Sequence, residues 1–392
     1  MIKRKNNKIE KLIKYLCPKG VEFKELGKVC VFQKGNSLSK ADKGLGDIPI
    51  ILYGELYTTY DNYITSIISS TSEERAQAAT IASRGDLLLP ISSTTKEAKI
   101  GKASTICVDS PVYIGGDTLI LKHQQCAGYL VHLINSSWFE KQKMMCVHGT
   151  TIMHLHPKEL AAIHIPIPPL AVQEEIVRIL DKFTELEAEL EAELEARKKQ
   201  YEWYRDRLLS FDSSHPFTQE VRSLALEDVL TIKNGRDWKN LPCGDIPVYG
   251  SGGIMGFVNK SIYSGPTVLI PRKGSLDKLY FVDKPFWNVD TVFYTEINDN
   301  IVFPKYVFYC LQKAHLEQLN KAGGVPSLTQ STLNKVRIPV PPIEDQQRIV
   351  AILDRLDALC NDITTGLPAE ITARRKQYEY YRDKLLSFEE VA

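Results

Sequence analysis

The chain is written twice, and this repeat limits what it can fold into more than any other feature. The block Ile165-Pro166-Ile167-Pro168-Pro169-Leu170 followed by Gln173 returns as Ile338-Pro339-Val340-Pro341-Pro342-Ile343 followed by Gln346, a shift of 173 residues. Ile176, Ile179, Leu180 and Asp181 keep that shift in Ile349, Ile352, Leu353 and Asp354. Residues 196–211 return as 373–388 with only conservative changes, at a shift of 177, so the second copy has gained four residues. Self-similarity on this scale marks a duplicated unit. Between the blocks the likeness is sparser. Lys34-Gly35 aligns with Asn234-Gly235, Asp47-Ile48-Pro49-Ile50 with Asp245-Ile246-Pro247-Val248, Asp117-Thr118 with Asp290-Thr291, and Leu155, Leu160 and Ile163 with Leu328, Leu333 and Val336. Ordinary divergence after duplication would produce such a pattern; so would one scaffold used twice to recognise two different things, which is the reading favoured here.

Two textures alternate along the repeat. Residues 21–165 and 222–338 carry short Val-, Ile- and Tyr-rich runs such as Thr267-Val268-Leu269-Ile270, punctuated by Gly, Pro, Asn and Asp, as in mixed α/β domains. Short helices are predicted over 128–143 and 304–320. From 170 to 211 the pattern changes: Ile176, Leu180, Phe183, Leu186, Leu190, Leu194, Tyr201, Tyr204 and Leu208 recur every three or four residues with charges between them. That predicts one helix of about 40 residues, roughly 60 Å long. A helix with a single apolar stripe needs a partner, and the obvious one is its own copy, with Ile349, Leu353, Leu356, Tyr378, Tyr381 and Leu385 on the packing face. Gly366-Leu367-Pro368 should break that copy into two helices. The predicted fold class is α+β: two mixed α/β domains (21–169 and 212–340) joined by two long antiparallel, coiled-coil helical arms (170–211 and 341–392). A short helix over 1–20, with Ile9, Leu12, Ile13 and Leu16 on one face, precedes them.

Composition narrows the class. With 392 residues, 43% hydrophobic and 25% charged, the chain has the profile of a globular protein of two or three domains. No apolar run approaches the roughly 18 residues of a membrane span, and Lys3-Arg4-Lys5 leads into polar residues and not a secretory core, so a cytoplasmic location is expected. Eight cysteines without a C-x-x-C pair fit reduced thiols. The net charge of +1 hides a segregation: residues 1–172 carry +6 and 212–338 carry +2, whereas 173–211 carry −4 and 339–392 carry −3. Positive domains on acidic helices suit a protein that meets a polyanion at two separated places.

Catalytic motifs are weak. Asp86 with Glu97-Ala98-Lys99 fits a metal-dependent nuclease pattern only loosely, and the second copy has Arg272-Lys273 in that region. Gly101-Lys102-Ala103 lacks the hydroxyl residue and upstream glycine of a P-loop, and no G-x-G cofactor loop follows a convincing strand. The prolines at 168, 169, 341 and 342 do not form the base-gripping motif of amino-group methyltransferases. His148, His154, His156 and His164, near Cys146, are irregularly spaced and read as structural or recognition-loop histidines, so no metal site is expected.

The paired Ile-Pro-x-Pro-Pro-x-x-x-Gln blocks and the Ala-Arg-x-Lys-Gln-Tyr-Glu-x-Tyr-Arg-Asp-x-Leu-Leu-Ser-Phe blocks resemble the conserved regions of type I restriction-modification DNA specificity subunits. Tyr249 to Gly256 and Leu269 to Ser275 look like segments of one class of their target recognition domains. The resemblance implies a non-catalytic subunit whose two recognition domains each read half of a bipartite, asymmetric site in double-stranded DNA. Its helices would dock two methyltransferase subunits, with restriction-translocase subunits completing the assembly. S-adenosylmethionine, ATP and Mg2+ are then expected on those partners and no cofactor in this chain. Cations and hydroxyls near glycines are the candidate DNA contacts: Lys34, Ser37, Lys40, Lys43, Ser92, Ser93, Thr94, Lys96, Lys99 and Lys102 in the first domain, and Lys233, Arg236, Lys239, Lys260, Arg272, Lys273, Ser275 and Lys278 in the second. Arg272 and Lys273 have the best case, because Ile270-Pro271 should end a strand and Gly274 permits close backbone approach. Two readings compete with this one: a restriction enzyme with its own nuclease centre, and a coiled-coil scaffold that binds protein and not DNA.

Glu185-Leu-Glu-Ala, Glu189-Leu-Glu-Ala and Glu193-Leu-Glu-Ala are three tandem tetrads, similar to the tetrapeptide repeats by which some family members set the gap between half-sites. Each tetrad adds ~6 Å of rise and ~40° of rotation beyond one turn. One DNA base-pair step is about 3.4 Å and roughly 35°, so the rotation matches one step well and the rise loosely. Adding or deleting one tetrad is predicted to alter the gap and leave both half-sites unchanged; a methylation map of the variant showing altered half-sites would refute this.

Overall fold

The computed structural model describes residues 11, 14–95, 99–211, 221–320 and 327–390. It divides into two compact units, Met1–Glu189 with Ile371–Ala392, and Leu190–Glu370. Both are built on one plan. In the first unit Phe23–Glu25 pairs antiparallel with His164–Pro166, Lys24 opposite Ile165; in the second Arg222–Ala225 pairs with Arg337–Val340, Leu224 opposite Ile338. The first and last strands of each globular part thus zip together, with Ile165 and Ile338 buried beneath them. Prolines are tolerated in these ribbons because a two-stranded sheet has only edge strands.

The main sheet follows the same order in each unit. Cys30–Lys34, Thr118–His123 and Leu87–Pro90 lie side by side, all antiparallel, as do Leu230–Asn234, Val292–Ile297 and Thr267–Pro271. Leu87, Leu89, Leu119 and Leu121 face one apolar core while Leu88 and Ile120 face another. Burial on both faces is why these strands read as continuous apolar runs and do not alternate. A smaller sheet holds a parallel pair, Ile48–Ile51 with Val112–Ile114, matched by Ile246–Gly250 with Trp287–Asn288.

The short helices are cut sooner than their apolar runs predict. Residues 128–143 form α1 (Ala127–Ile134) and a separate helix, Ser137–Lys143, because Ser136 caps the second by accepting from Phe139 N at 3.2 Å. Asn135, between them, uses its amide on both backbone groups of Ala103. Residues 304–320 form α2 (Pro304–Lys313), which ends before His315, a left-handed residue at φ +46.

The long helices are α3 (Leu170–Leu208), α4 (Ile343–Asn361) and α5 (Leu367–Leu385). The boundary between the units falls inside α3 and again inside α5. The break between α4 and α5 spans 362–366, beginning before the Gly-Leu-Pro that predicts it, because Asp362 turns the chain by accepting from Thr364 N at 2.7 Å. In the first unit Phe183 of α3 stacks on Tyr381 of α5 at 5.5 Å, and Glu187 meets Arg375 at 2.6 Å, so the two helices run antiparallel there. In the second, Leu194, Tyr201 and Leu208 of α3 share an apolar core with Ile349, Leu353 and Leu356 of α4.

The stripe on α3 is only partly continuous. Ile176, Leu180 and Phe183 are buried at one end and Tyr201 and Leu208 at the other, whereas Leu186, Leu190 and Leu194 are half-buried. Tyr204, expected on the packing face, is exposed. Its place is taken by Arg205, which lies i+4 from Tyr201 and buries its stem with the guanidinium 5.9 Å from that ring. On α5, Tyr378 and Tyr381 are half-buried and Leu385 is buried. Of the predicted N-terminal helix, Ile9, Leu12 and Ile13 lie outside the described residues and Leu16 is exposed.

Two polar side chains explain why the repeat keeps its spacing. Gln173 is fully buried; its Oε1 accepts from Cys126 N at 3.0 Å and its Nε2 donates to Pro168 O at 2.7 Å. Gln346 repeats this with Phe303 N at 2.7 Å and Pro341 O at 2.8 Å. Two turns further along, Asp181 accepts from Tyr63 at 2.7 Å and meets Nε2 of buried His132 at 2.8 Å, while Asp354 accepts from Tyr309 and pairs with Lys305 at 2.9 Å. Burial, with the Asp354 carboxylate second, pushes the Tyr309 phenol far up, so it stays a donor. Replacing Gln346 with Leu leaves Phe303 N and Pro341 O buried without a partner, and should destabilise the second unit by about 1–3 kcal/mol. Urea unfolding of the full chain followed by the tryptophans of that unit would measure it; an unshifted transition would contradict the assignment.

Candidate nucleic-acid interface

In the second unit Thr267–Pro271 is buried along its whole length and ends at Pro271. The next residues are held by backbone bonds from two sides. Arg272 N donates to Thr291 O at 2.8 Å, and Leu328 N donates to Arg272 O at 2.9 Å. With its backbone fixed, the half-buried Arg272 places its guanidinium 5.7 Å from the Phe293 ring, a cation–π distance, and Lys273 points out. Gly274 has φ +86, and a Cβ there would lie 3.2 Å from Ser251 Oγ, so the loop rests against the turn of the hairpin formed by Ile246–Gly250 and Gly253–Val258. Arg272, Lys273, Ser275 and Lys278 therefore share one loop. Ser251 and Tyr280, whose ring is 5.8 Å from Tyr249, border it and extend the candidate set beyond what charge in the sequence suggests.

The other candidate cations of this unit lie on other segments of the chain. Arg236 follows Gly235, where any Cβ would lie 2.1 Å from Val289 O; its backbone is held by Asn288 O at 2.9 Å and by Trp287 Nε1 at 2.9 Å, and its side chain is exposed. Lys239 and Lys260 are exposed. Lys233 lies 3.4 Å from Glu296.

The first unit repeats the frame with other side chains. Ile91 N donates to Asp117 O at 2.9 Å and Leu155 N donates to Ile91 O at 2.9 Å, the same backbone pattern as at Arg272, but Ile91 is buried. Ser92 faces His154, with Oγ and Nδ1 2.8 Å apart, where the second unit bridges Lys273 to Ser327. Ser92 and Ser93 are buried, the latter donating to Thr95 O at 2.8 Å; Thr94 is exposed. Lys96, and Glu97 of the loose nuclease pattern, lie outside the described residues. Asp86 of that pattern accepts from Ser83 N at 2.9 Å, as a turn residue does.

Several first-unit cations are held internally. Lys43 pairs with buried Glu55 at 2.9 Å, Lys34 with Asp117 at 3.4 Å, and Lys102 donates to Tyr60 O at 2.7 Å, with burial lowering its pKa. Ser37, at φ +62, donates to Ala78 O at 3.2 Å, and Lys40 is exposed. Lys99 and Lys102 line a cavity of about 300 Å³ with Lys143 and Arg382, against Glu140 and Glu379. That basic pocket joins residues far apart in sequence, so no local pattern announces it. The histidines also depart from the irregular cluster read in sequence: His148 and His156 converge on Glu159.

The family model for the type I restriction modification DNA specificity domain matches residues 18–196 and again 219–373, and the chain belongs to that family. It is 39% identical over 264 residues to the specificity subunit of the type I restriction enzyme EcoR124I/EcoR124II of Escherichia coli, covering 57% of this chain and 63% of that one. Over 257 residues it is 35% identical to a putative type I restriction enzyme specificity subunit of Haemophilus influenzae, covering 59% and 65%. These matches thus span just under two-thirds of either relative. The EcoprrI specificity subunit of Escherichia coli is 29% identical over 373 residues, covering 88% and 89%. The fold is that of the S subunit of a type I restriction-modification system from M. genitalium, with a TM-score of 0.58 at 17% identity over 94% of this chain and 96% of that one. A second solved chain, from work on complex assembly and conformational transition of the type I R-M system, gives a TM-score of 0.61 at 17% identity, covering 94% and 98%. Among the described residues no helix is long and apolar enough to cross a membrane.

If the loop after Thr267–Pro271 meets phosphates, the pair Arg272→Ala and Lys273→Ala should lower affinity for the cognate duplex at least about tenfold and reduce the slope of log K against log salt by about two. Fluorescence anisotropy over a salt series with the assembled complex would show it, and unchanged binding would remove both residues from the interface.

Proposed function

We propose that the chain is the DNA specificity subunit of a type I restriction-modification complex, each globular unit reading one half of a bipartite, asymmetric double-stranded site. The observation that carries this reading is the pair of loops at Ile91 and Arg272. One backbone frame, fixed by the same two hydrogen bonds, leads through buried Ser92 and Ser93 to exposed Thr94 in one unit and carries Arg272, Lys273 and Ser275 in the other. A frame kept while its chemistry changes suits two readers of different base sequences. The names of the relatives, all specificity subunits, support the same conclusion.

The reaction belongs to partners. This chain supplies binding and no catalysis; two methyltransferase subunits dock on the helices α3, α4 and α5 and bring S-adenosylmethionine, and restriction-translocase subunits bring ATP and Mg2+. A cytoplasmic location follows from work on chromosomal and incoming DNA. The segregated charge supports the division of labour, because the positive globular segments favour phosphate and the segments 173–211 and 339–392, each net negative, disfavour it. Co-expression with the cognate methyltransferase subunit, followed by a genome-wide map of N6-methyladenine, should return one bipartite motif with unlike halves. No methylation, or a motif with a single block, would overturn the proposal. Cleavage by the isolated chain with Mg2+ alone, lost on Glu97→Ala, would instead establish a nuclease.

A further inference from the structure

The last part of the first globular segment gathers donor atoms from three places. Val147–His148 pairs antiparallel with Met153–Leu155, His148 directly opposite His154. The pairing continues one residue further, where His156 N donates to Cys146 O at 2.9 Å. Side chains alternate along a strand, so His148, His154 and His156 share one face, with His156 diagonal to His148. The rings of His148 and His156 are 4.3 Å apart. His156 is also the cap residue of the helix Pro157–Ala161, whose first turn carries Glu159. Nε2 of His148 is 2.8 Å from one Glu159 oxygen and Nδ1 of His156 is 3.4 Å from the other. The donor atoms of the three all lie within 4.8 Å of one another. His154 stands outside the group, its Nδ1 engaged with Ser92.

We propose that His148, His156 and Glu159 form a binding site for a divalent transition metal, zinc first. Two imidazole nitrogens with one carboxylate oxygen is a donor set for zinc, cobalt, nickel or copper; magnesium and calcium prefer oxygen alone. A tetrahedral ion with bonds of about 2.0–2.1 Å separates its ligand atoms by roughly 3.3 Å. The separations of 2.8 and 3.4 Å, to different oxygens of Glu159, lie either side of that value, and with all three donors within 4.8 Å of one another a single ion is in reach of the group after side-chain rotation. All three side chains are about half exposed, which gives the ion a path in and leaves a position for water. The role is a brace. The ion would tie the hairpin to the helix, and because Met153 and His154 pair with Ser93 and Ser92, it would steady the strand from which Thr94 projects.

Metal titration of the untagged full chain tests this, in a Cys243→Ser background because Cys243 is an exposed free thiol. One equivalent of Co2+ should give the visible spectrum of a low-coordinate site, which Zn2+ then bleaches by displacement. His148→Ala and His156→Ala should each abolish it, Glu159→Gln should weaken binding at least about tenfold, and His154→Ala should retain it. As a second readout, saturating Zn2+ should raise the melting temperature of the parent protein and leave a folded His148→Gln variant unmoved. Absence of one-equivalent binding, or binding that survives loss of both His148 and His156, overturns the proposal.

Discussion

The exit of the chain from each globular part into its long helix is set by one buried amide. Gln173 and Gln346 each accept from the backbone just ahead of a domain helix, Cys126 N or Phe303 N, and donate to the carbonyl of Pro168 or Pro341. A rotation of either helix about its first turn would leave those groups buried and unsatisfied, which costs more than most surface contacts return. Everything downstream depends on that direction: where Asp181 and Asp354 meet their partners, and which face of α3 reaches an apolar core. The Ile-Pro-x-Pro-Pro-x-x-x-Gln block is thus a structural joint, and its repetition keeps the joint the same in both units.

Above the joint the two units diverge both inside and at the loop edges. His132 and Tyr309 occupy corresponding places on α1 and α2, one offering an imidazole and the other a phenol to the same aspartate position. Ile91 and Arg272 share a backbone and differ in chemistry. Interior positions tolerate such changes only where size and hydrogen bonding are kept, whereas the loop edges carry no such restriction. Scaffold constancy and edge variation are then two consequences of one packing problem.

Much of this was legible in the linear pattern. The duplicated blocks, the long helix after Pro168-Pro169, its pairing with the second copy, and the end of a strand at Pro271 all appear where residue periodicity places them, because each depends on local backbone chemistry or a repeated stripe. Tyr204 illustrates the limit: its spacing fits the stripe as well as that of Arg205, and only the partner surface decides which side chain is buried. The short helices were overextended for a related reason, since Ser136 as a cap and His315 as a left-handed residue outweigh the apolar runs around them.

The candidate interface divides the same way. Sequence supplied the cations and the glycines, Gly235 and Gly274, that let backbone come close. It did not say that Lys43 faces Glu55 or Lys102 faces Tyr60, or that Ser251 borders the loop of Arg272, because those partners are distant in the chain. What the sequence by itself determined is the duplication, the class of fold and the family, all properties of pattern. Only the tertiary structure decided which of the candidate cations are engaged within the protein, where the basic pocket of Lys99, Lys102, Lys143 and Arg382 forms, and that His148, His156 and Glu159 converge. Hydrogen bonds and ion pairs act over a few ångströms, and strand pairing sets those distances without regard to sequence separation.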